Sequence, residues 1–360
     1  MERRKRYLTA VILWMIAFSL FGFLRFYGLA DLPAIDVSVK QFYFPWPVFL
    51  LLGAITGVVY ETIENRLRSR HLLMRRPYWM ILAIKPPIYG LLALGLMLLG
   101  SISFNRIFYA GLPWHSIWEV VTGKVFWVFF VFFLVASFGI SFFQIITQYF
   151  GGRVLTNLLL GKYYRPFEEY RIFMFLDMRD STSIAEQLGT MQYSKFVQDA
   201  FRDFTPIIEQ YHPEIHQYVG DEMVITWMPK PGLKNFNCIR TCYAYNALLR
   251  SKRKYYESEY GIVPRFKAGI HIGWVRVVEV GVHRRAIAYH GDVMNTTARI
   301  QSMCKVLGYE VLISEALWKE LPEPDGSLAF EPLAEVILKG KASPVKLVGV
   351  REIQQADQRE

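Results

Sequence analysis

The chain has 360 residues, enough for two or three structural units, and 53% of them are hydrophobic at a mean hydropathy of +0.21, which excludes a wholly water-soluble protein. The formal net charge of +10 would suit a nucleic-acid binder, but Lys and Arg gather beside apolar blocks rather than in a patch interleaved with aromatics, so no nucleic acid is expected as a partner. Three cysteines, Cys238, Cys242 and Cys304, form no C-x-x-C pair and have no His at metal spacing, which excludes a disulfide framework and a zinc site.

Apolar blocks occupy residues 8–29, 46–62, 78–99 and 125–149. A bilayer core needs about 20 mostly apolar residues per helix. The blocks therefore predict an α-helical membrane domain of four transmembrane helices over residues 1–150, kinked where Lys85-Pro86-Pro87 interrupts the third. Arg3, Arg4, Lys5 and Arg6 precede the first block, Arg66, Arg68, Arg70, Arg75 and Arg76 separate the second and third, and Arg153 and Lys162 follow the fourth. The other two loops carry few basic residues, so the positive-inside rule puts both termini in the cytoplasm of a multi-pass protein of the cell (inner) membrane. A cleaved signal peptide is not expected, because no small-residue cleavage site follows the first block. Trp14, Trp46, Trp79, Trp114 and Trp118 stand near block ends or in loops, as interfacial anchors do. No motif here names a ligand, so a receptor and a plain anchor both remain open.

Residues 151–169, GGRVLTNLLLGKYYRPFEE, open on two glycines and carry Pro166 near their end. Val154, Leu155, Leu158, Leu159 and Leu160 form a helical stripe too short to span a bilayer. It is a helical coupling segment, paired between two protomers or packed on its own domain.

From Arg171 the period changes. RIFMFLD is an apolar run of strand length that ends in Asp177, and a helical stretch follows from Ser181 to Tyr211. Two strands, EIHQYV and MVITWM, are joined by Gly220-Asp221-Glu222; a helix is expected over 235–260, strands over 266–272 and 275–282, and a helix over 294–307. The order predicts an α+β, ferredoxin-like domain over residues 170–356. In a β-α-β-β arrangement the first strand neighbours the hairpin, so Asp177 and Asp221 converge at one sheet edge. Paired carboxylates of this kind suit Mg²⁺ or Mn²⁺, two ions per site, completed by phosphate oxygens and water.

Farther on stands GDVMNTTARIQ, residues 291–301. LDMRDST, YVGDEM, GDVMNTTAR and the late ILKGK, in this order, resemble the D-I-x-G-F-T, K-x-x-G-D, G-x-x-V-N-x-A-x-R and V-K-G-K motifs of the class III adenylate/guanylate cyclase catalytic domain, over residues 167–353. The resemblance implies that Asp177 and Asp221 bind the metals, with the carbonyl of Met178 as a further ligand. Asn295 would orient the ribose, Arg299 would stabilise charge on the α-phosphate, and Lys339 would contact the terminal phosphates. It also implies a head-to-tail homodimer with shared active sites, metal ligands from one protomer and Asn295 and Arg299 from the other. The expected reaction is conversion of ATP to 3′,5′-cyclic AMP and pyrophosphate, with GTP as the alternative substrate.

The departures concern the base. Where adenylate cyclases of this class place a Lys and an Asp or Thr, this chain has Gln217 and Ala288, and a Gln amide can serve adenine or, flipped, guanine. Asp180 replaces a Gly and Ser181 a Phe in the first motif. A diguanylate cyclase is disfavoured because Val219 occupies the first Gly of its turn. An inactive sensor or dimerisation module is disfavoured because Asp177, Asp221, Asn295 and Arg299 are all retained.

Overall fold

The computed structural model describes residues 2–27, 46–69, 80, 85, 87–92, 94–95, 123–150, 152–283, 285–336 and 344–353. The chain divides into two compact units, Met1–Phe150 and Gly151–Glu360.

In the first unit α1 (Glu2–Tyr27), α2 (Trp46–Ser69) and α3 (Lys124–Phe150) are long helices. Two of them contain segments long and apolar enough to cross a membrane, Arg6–Leu24 and Trp127–Thr147. The patterning is inverted relative to a water-soluble bundle: Leu8, Ile12, Ile16, Val131 and Val135 face outward, while Trp14, Tyr60, Tyr89 and Phe133 pack inside. Gly53 and Gly57 let α2 lie directly on α1, since a Cβ on Gly57 would come 2.5 Å from the Cα of Val11. Within the third apolar block only positions 80, 85, 87–92 and 94–95 are described, and Trp79, Trp114 and Trp118 lie outside the described residues.

The second unit is a mixed sheet with helices on it. Its strands are β1 (Phe167–Met178), β2 (Glu214–Val219), β3 (Glu222–Trp227), β4 (Phe266–Val280), β5 (Ala286–His290), β6 (Val311–Ser314), β7 (Leu328–Val336) and β8 (Val345–Glu352), in the order β2-β3-β1-β4-β6-β8-β7 with β5 on β4. All neighbours are antiparallel except β4 and β6. β1 is buried on both faces, and this explains its unbroken apolar run. Ile172, Met174 and Leu176 point into one core with Phe196, Tyr245 and Trp227. Phe173 and Phe175 point into the other with Val224, Val275, Val277 and Val293. Each such side chain contributes roughly 1.5–3 kcal/mol by burial.

Three expectations are corrected in detail. The strands expected at 266–272 and 275–282 are one continuous β4, because Gly273 stays extended and makes room for Val293. The helix expected over 235–260 breaks at Lys252 into α7 (Asn237–Ser251) and α8 (Arg253–Tyr260). The stretch from Ser181 to Tyr211 forms α5 (Ser181–Asp203) and α6 (Thr205–Tyr211), where Pro206 begins a new helix. The short helix α4 (Gly152–Leu159) lays Val154 and Leu158 against the Phe173 core of its own unit, with Leu155 buried.

Candidate active site

Strand pairing puts Asp177 at the end of β1, opposite Glu222 of β3 and Lys267 of β4. Asp221 stands in the β2–β3 turn beside Gly220, whose φ of 61° lies in the left-handed region that favours glycine. The two aspartates and Glu222 thus share one sheet edge. Lys267 Nζ lies 3.1 Å from Asp177 Oδ2, and Gln301 Nε2 donates to the same oxygen at 2.7 Å. Burial, aided by the Asp221 charge, still raises the Asp177 carboxyl above its ordinary range. Burial and the charges of Asp177 and Asp221 push Glu222 up to about 7. The edge carries more negative charge than Lys267 can balance.

A divalent cation fits this edge. Asp221 Oδ2 is buried and has no hydrogen-bond partner among the described residues, an arrangement that costs free energy unless a ligand completes it. Among the described residues no three His, Cys, Asp or Glu side chains converge as a metal cage. Asp177 and Asp221 would therefore need main-chain, phosphate or water oxygens beside them, which is the habit of Mg²⁺. Met178, the last residue of β1, buries its side chain, so only its carbonyl is available as a donor.

Asn295 and Arg299 lie on α9 (Asp292–Leu307), which opens with Asp292 in its first turn and stops at Gly308 in the left-handed region. Val293, Thr296, Thr297, Ile300, Gln301 and Cys304 form its buried face. Asn295 is exposed and Arg299 half-buried, and neither side chain has a hydrogen bond or ion pair among the described residues. Within one chain α9 thus turns Gln301 toward Asp177 and Arg299 away from it. Gln217 pairs with Val224 and so stands on the Asp177 face of the sheet, whereas Ala288 pairs with Val278 on the opposite face. Lys339 lies outside the described residues.

Four further residues were missed by the sequence reading. Lys267 and Gln301 touch Asp177, and only the β1–β4 register and the seating of α9 reveal it. Tyr193 of α5 feels both aspartates; its hydroxyl pKa is raised by burial and by Asp221 and Asp177, which keeps it protonated. Arg171 is 2% exposed, bridges Glu169 at 2.6 Å and Glu214 at 2.7 Å, and stacks its guanidinium over Tyr289. Asp180 has φ 54° where the motif carries Gly, a conformation Asp tolerates, so the departure leaves the turn into α5 intact.

An antiparallel-rich sheet that gathers two aspartates at one edge, with an Asn and an Arg on a covering helix, is the arrangement expected of a nucleotide cyclase catalytic domain. Residues 163–349 match the family described as the adenylate and guanylate cyclase catalytic domain, and the chain belongs to that family. It is 32% identical over 220 residues to adenylate cyclase 2 of Rhizobium meliloti (strain 1021), covering 61% of this chain and 60% of that protein. It is 25% identical over 183 residues to the adenylate cyclase of Anabaena cylindrica, covering 49% of this chain and 36% of the relative. The chain spans less than two thirds of the length of these curated relatives. A bacterial light-regulated adenylyl cyclase structure shares the fold at a TM-score of 0.52 and 19% identity, over 61% of this chain and 64% of the other.

Proposed function

We infer that the chain is a membrane-bound adenylate cyclase that acts as a head-to-tail homodimer and makes 3′,5′-cyclic AMP and pyrophosphate from ATP. The observation that carries this reading is the half-site geometry. Asp177 and Asp221, with one orphaned carboxylate oxygen, sit at the sheet edge, while Asn295 and Arg299 of the same chain look elsewhere. A second copy turned head to tail supplies the missing half to each edge.

Asp177 and Asp221, with the Met178 carbonyl, would hold the two Mg²⁺ or Mn²⁺ ions. When bound, the cations lower the pKa of the ribose 3′-hydroxyl and neutralise triphosphate charge. Asn295 of the partner copy orients the ribose, so the 3′-oxygen lies in line with the α-phosphorus. As the new P–O bond forms and the bond to pyrophosphate breaks, Arg299 meets the charge that builds on the α-phosphate. Lys339 takes the terminal phosphates. Gln217 reads the base edge, and Ala288, on the other face of the sheet, adds no side-chain donor or acceptor to it. ATP is favoured because the curated relatives bear the name adenylate cyclase.

Residues 1–150 form the four-helix membrane domain of this reading, with both termini cytoplasmic; residues 151–169 couple it to the catalytic domain at 170–356. The support is the two membrane-length apolar helices and the basic flanks. The test is cyclic nucleotide formation by the purified chain with ATP or GTP and Mg²⁺ or Mn²⁺. Cyclic AMP from ATP is expected. Cyclic GMP from GTP alone would reassign the base, and no product from either would overturn the enzyme reading.

A further inference from the structure

We propose that Gln301 is a positioning residue that fixes Asp177 for metal binding in its own subunit, from the same helix that offers Arg299 to the partner's site. The proposal rests on the cyclase reading above. Gln301 is 7% exposed and its amide donates to Asp177 Oδ2 at 2.7 Å, across 124 positions of sequence. The contact depends on an unusually close approach of α9 to β4. A Cβ on Gly269 would lie 2.2 Å from the Gln301 nitrogen and 2.6 Å from its Cα, and one on Gly273 would lie 2.6 Å from Val293. These two glycines share a face of β4 and form the trough that seats the helix.

Both donors to Asp177 use Oδ2. Oδ1 is left without a hydrogen bond among the described residues, as is Oδ2 of Asp221. The two donors differ in how they respond to a cation. Lys267 is a charge on a flexible stem and is repelled by a divalent ion. Gln301 is neutral, short and packed, so it keeps Oδ2 in place while the ion arrives. A helix turns by 100° per residue, so Arg299 and Gln301, two apart, point to nearly opposite sides of α9. One rigid element therefore sets the metal ligand of one site and the charge-stabilising arginine of the other.

The test uses the full chain with Gln301→Leu, which keeps the bulk and removes the donor, and Gln301→Asn, which keeps the amide but is too short. The first readout is melting temperature against Mn²⁺ concentration in the presence of 3′-deoxy-ATP, which carries the triphosphate but has no hydroxyl to cyclise. Loss of a hydrogen bond to a charged group is expected to raise the Mn²⁺ concentration at half-shift by about ten-fold in both variants. An unchanged half-shift in both would overturn the proposal. The second readout is subunit mixing. Gln301→Leu is expected to regain activity with Arg299→Ala and not with Asp177→Ala, because only the first pair rebuilds one intact site. Rescue by Asp177→Ala, or failure with Arg299→Ala, would overturn it. An unaltered chain that binds Mn²⁺ but makes no cyclic nucleotide would overturn the cyclase reading alone, and the Mn²⁺ readout would still decide the role of Gln301.

Discussion

The two units of this chain both bury charge, and they do so to different ends. Inside the apolar helices of the first, Glu64 Oε1 receives Lys85 Nζ at 2.7 Å and the Tyr89 hydroxyl at 2.5 Å, while Tyr60 stacks on Tyr89 and bonds Ser141. In the second, Arg171 is closed in the same manner between Glu169 and Glu214. The Asp177–Asp221 edge breaks that pattern, with Lys267 on Asp177 and Asp221 Oδ2 left over. Buried charge that is closed holds helices or strands together. Buried charge left open marks the place where a ligand completes the structure.

The sharpest test of this contrast is Asp221→Ala. Cyclic nucleotide formation should fall at least about 10³-fold, while the melting temperature stays level or rises, since an unpartnered buried acceptor is removed. Arg171→Met should do the reverse of that on stability. Glu169 keeps Lys162 at 3.0 Å, yet removing the buried guanidinium from between the two carboxylates is expected to cost about 3 kcal/mol, roughly 10 °C of melting temperature by calorimetry. Lys85→Met removes the cation beside Glu64 inside the first unit while the Tyr89 hydroxyl still donates to it, and should lower detergent-solubilised melting by less than that. A smaller loss, about 1–3 kcal/mol, is expected for Gly57→Leu, whose side chain has no room between α2 and α1.

The smallest effect concerns pH. Burial, with the Arg171 charge, lowers His216 to about 4 from 6.5, so the unfolded chain binds the extra proton first. Stability from this group is full above about pH 6.5 and declines as pH falls toward 4. Replacing His216 with Phe should flatten that part of the stability–pH curve measured by urea titration.

Much of the catalytic unit was legible in advance. The run RIFMFLD reads as a strand buried on both faces, the Gly220-Asp221 turn fixes a hairpin, and Asp292 with Gly308 brackets α9, because these signals are local. The break at Lys252 was not legible, since the helical period continues across it, whereas the one at Phe204 stands beside Pro206, a signal that the period alone passes over. Nor was the merger of two strands into β4, where Gly273 suggested a turn but serves to admit Val293.

The sequence by itself determined which residue types were available: two aspartates at strand ends, an Asn and an Arg one helical turn apart, long apolar blocks with basic flanks, and a Gln four positions before the second aspartate. Only the tertiary structure decided that Gln301 and Lys267 converge on one oxygen of Asp177, and that Arg299 turns away from it. The reason is physical. Local signals act through period and backbone preference over a few residues, whereas the partner of a carboxylate is chosen by strand register and by how closely a helix can approach a glycine in a sheet.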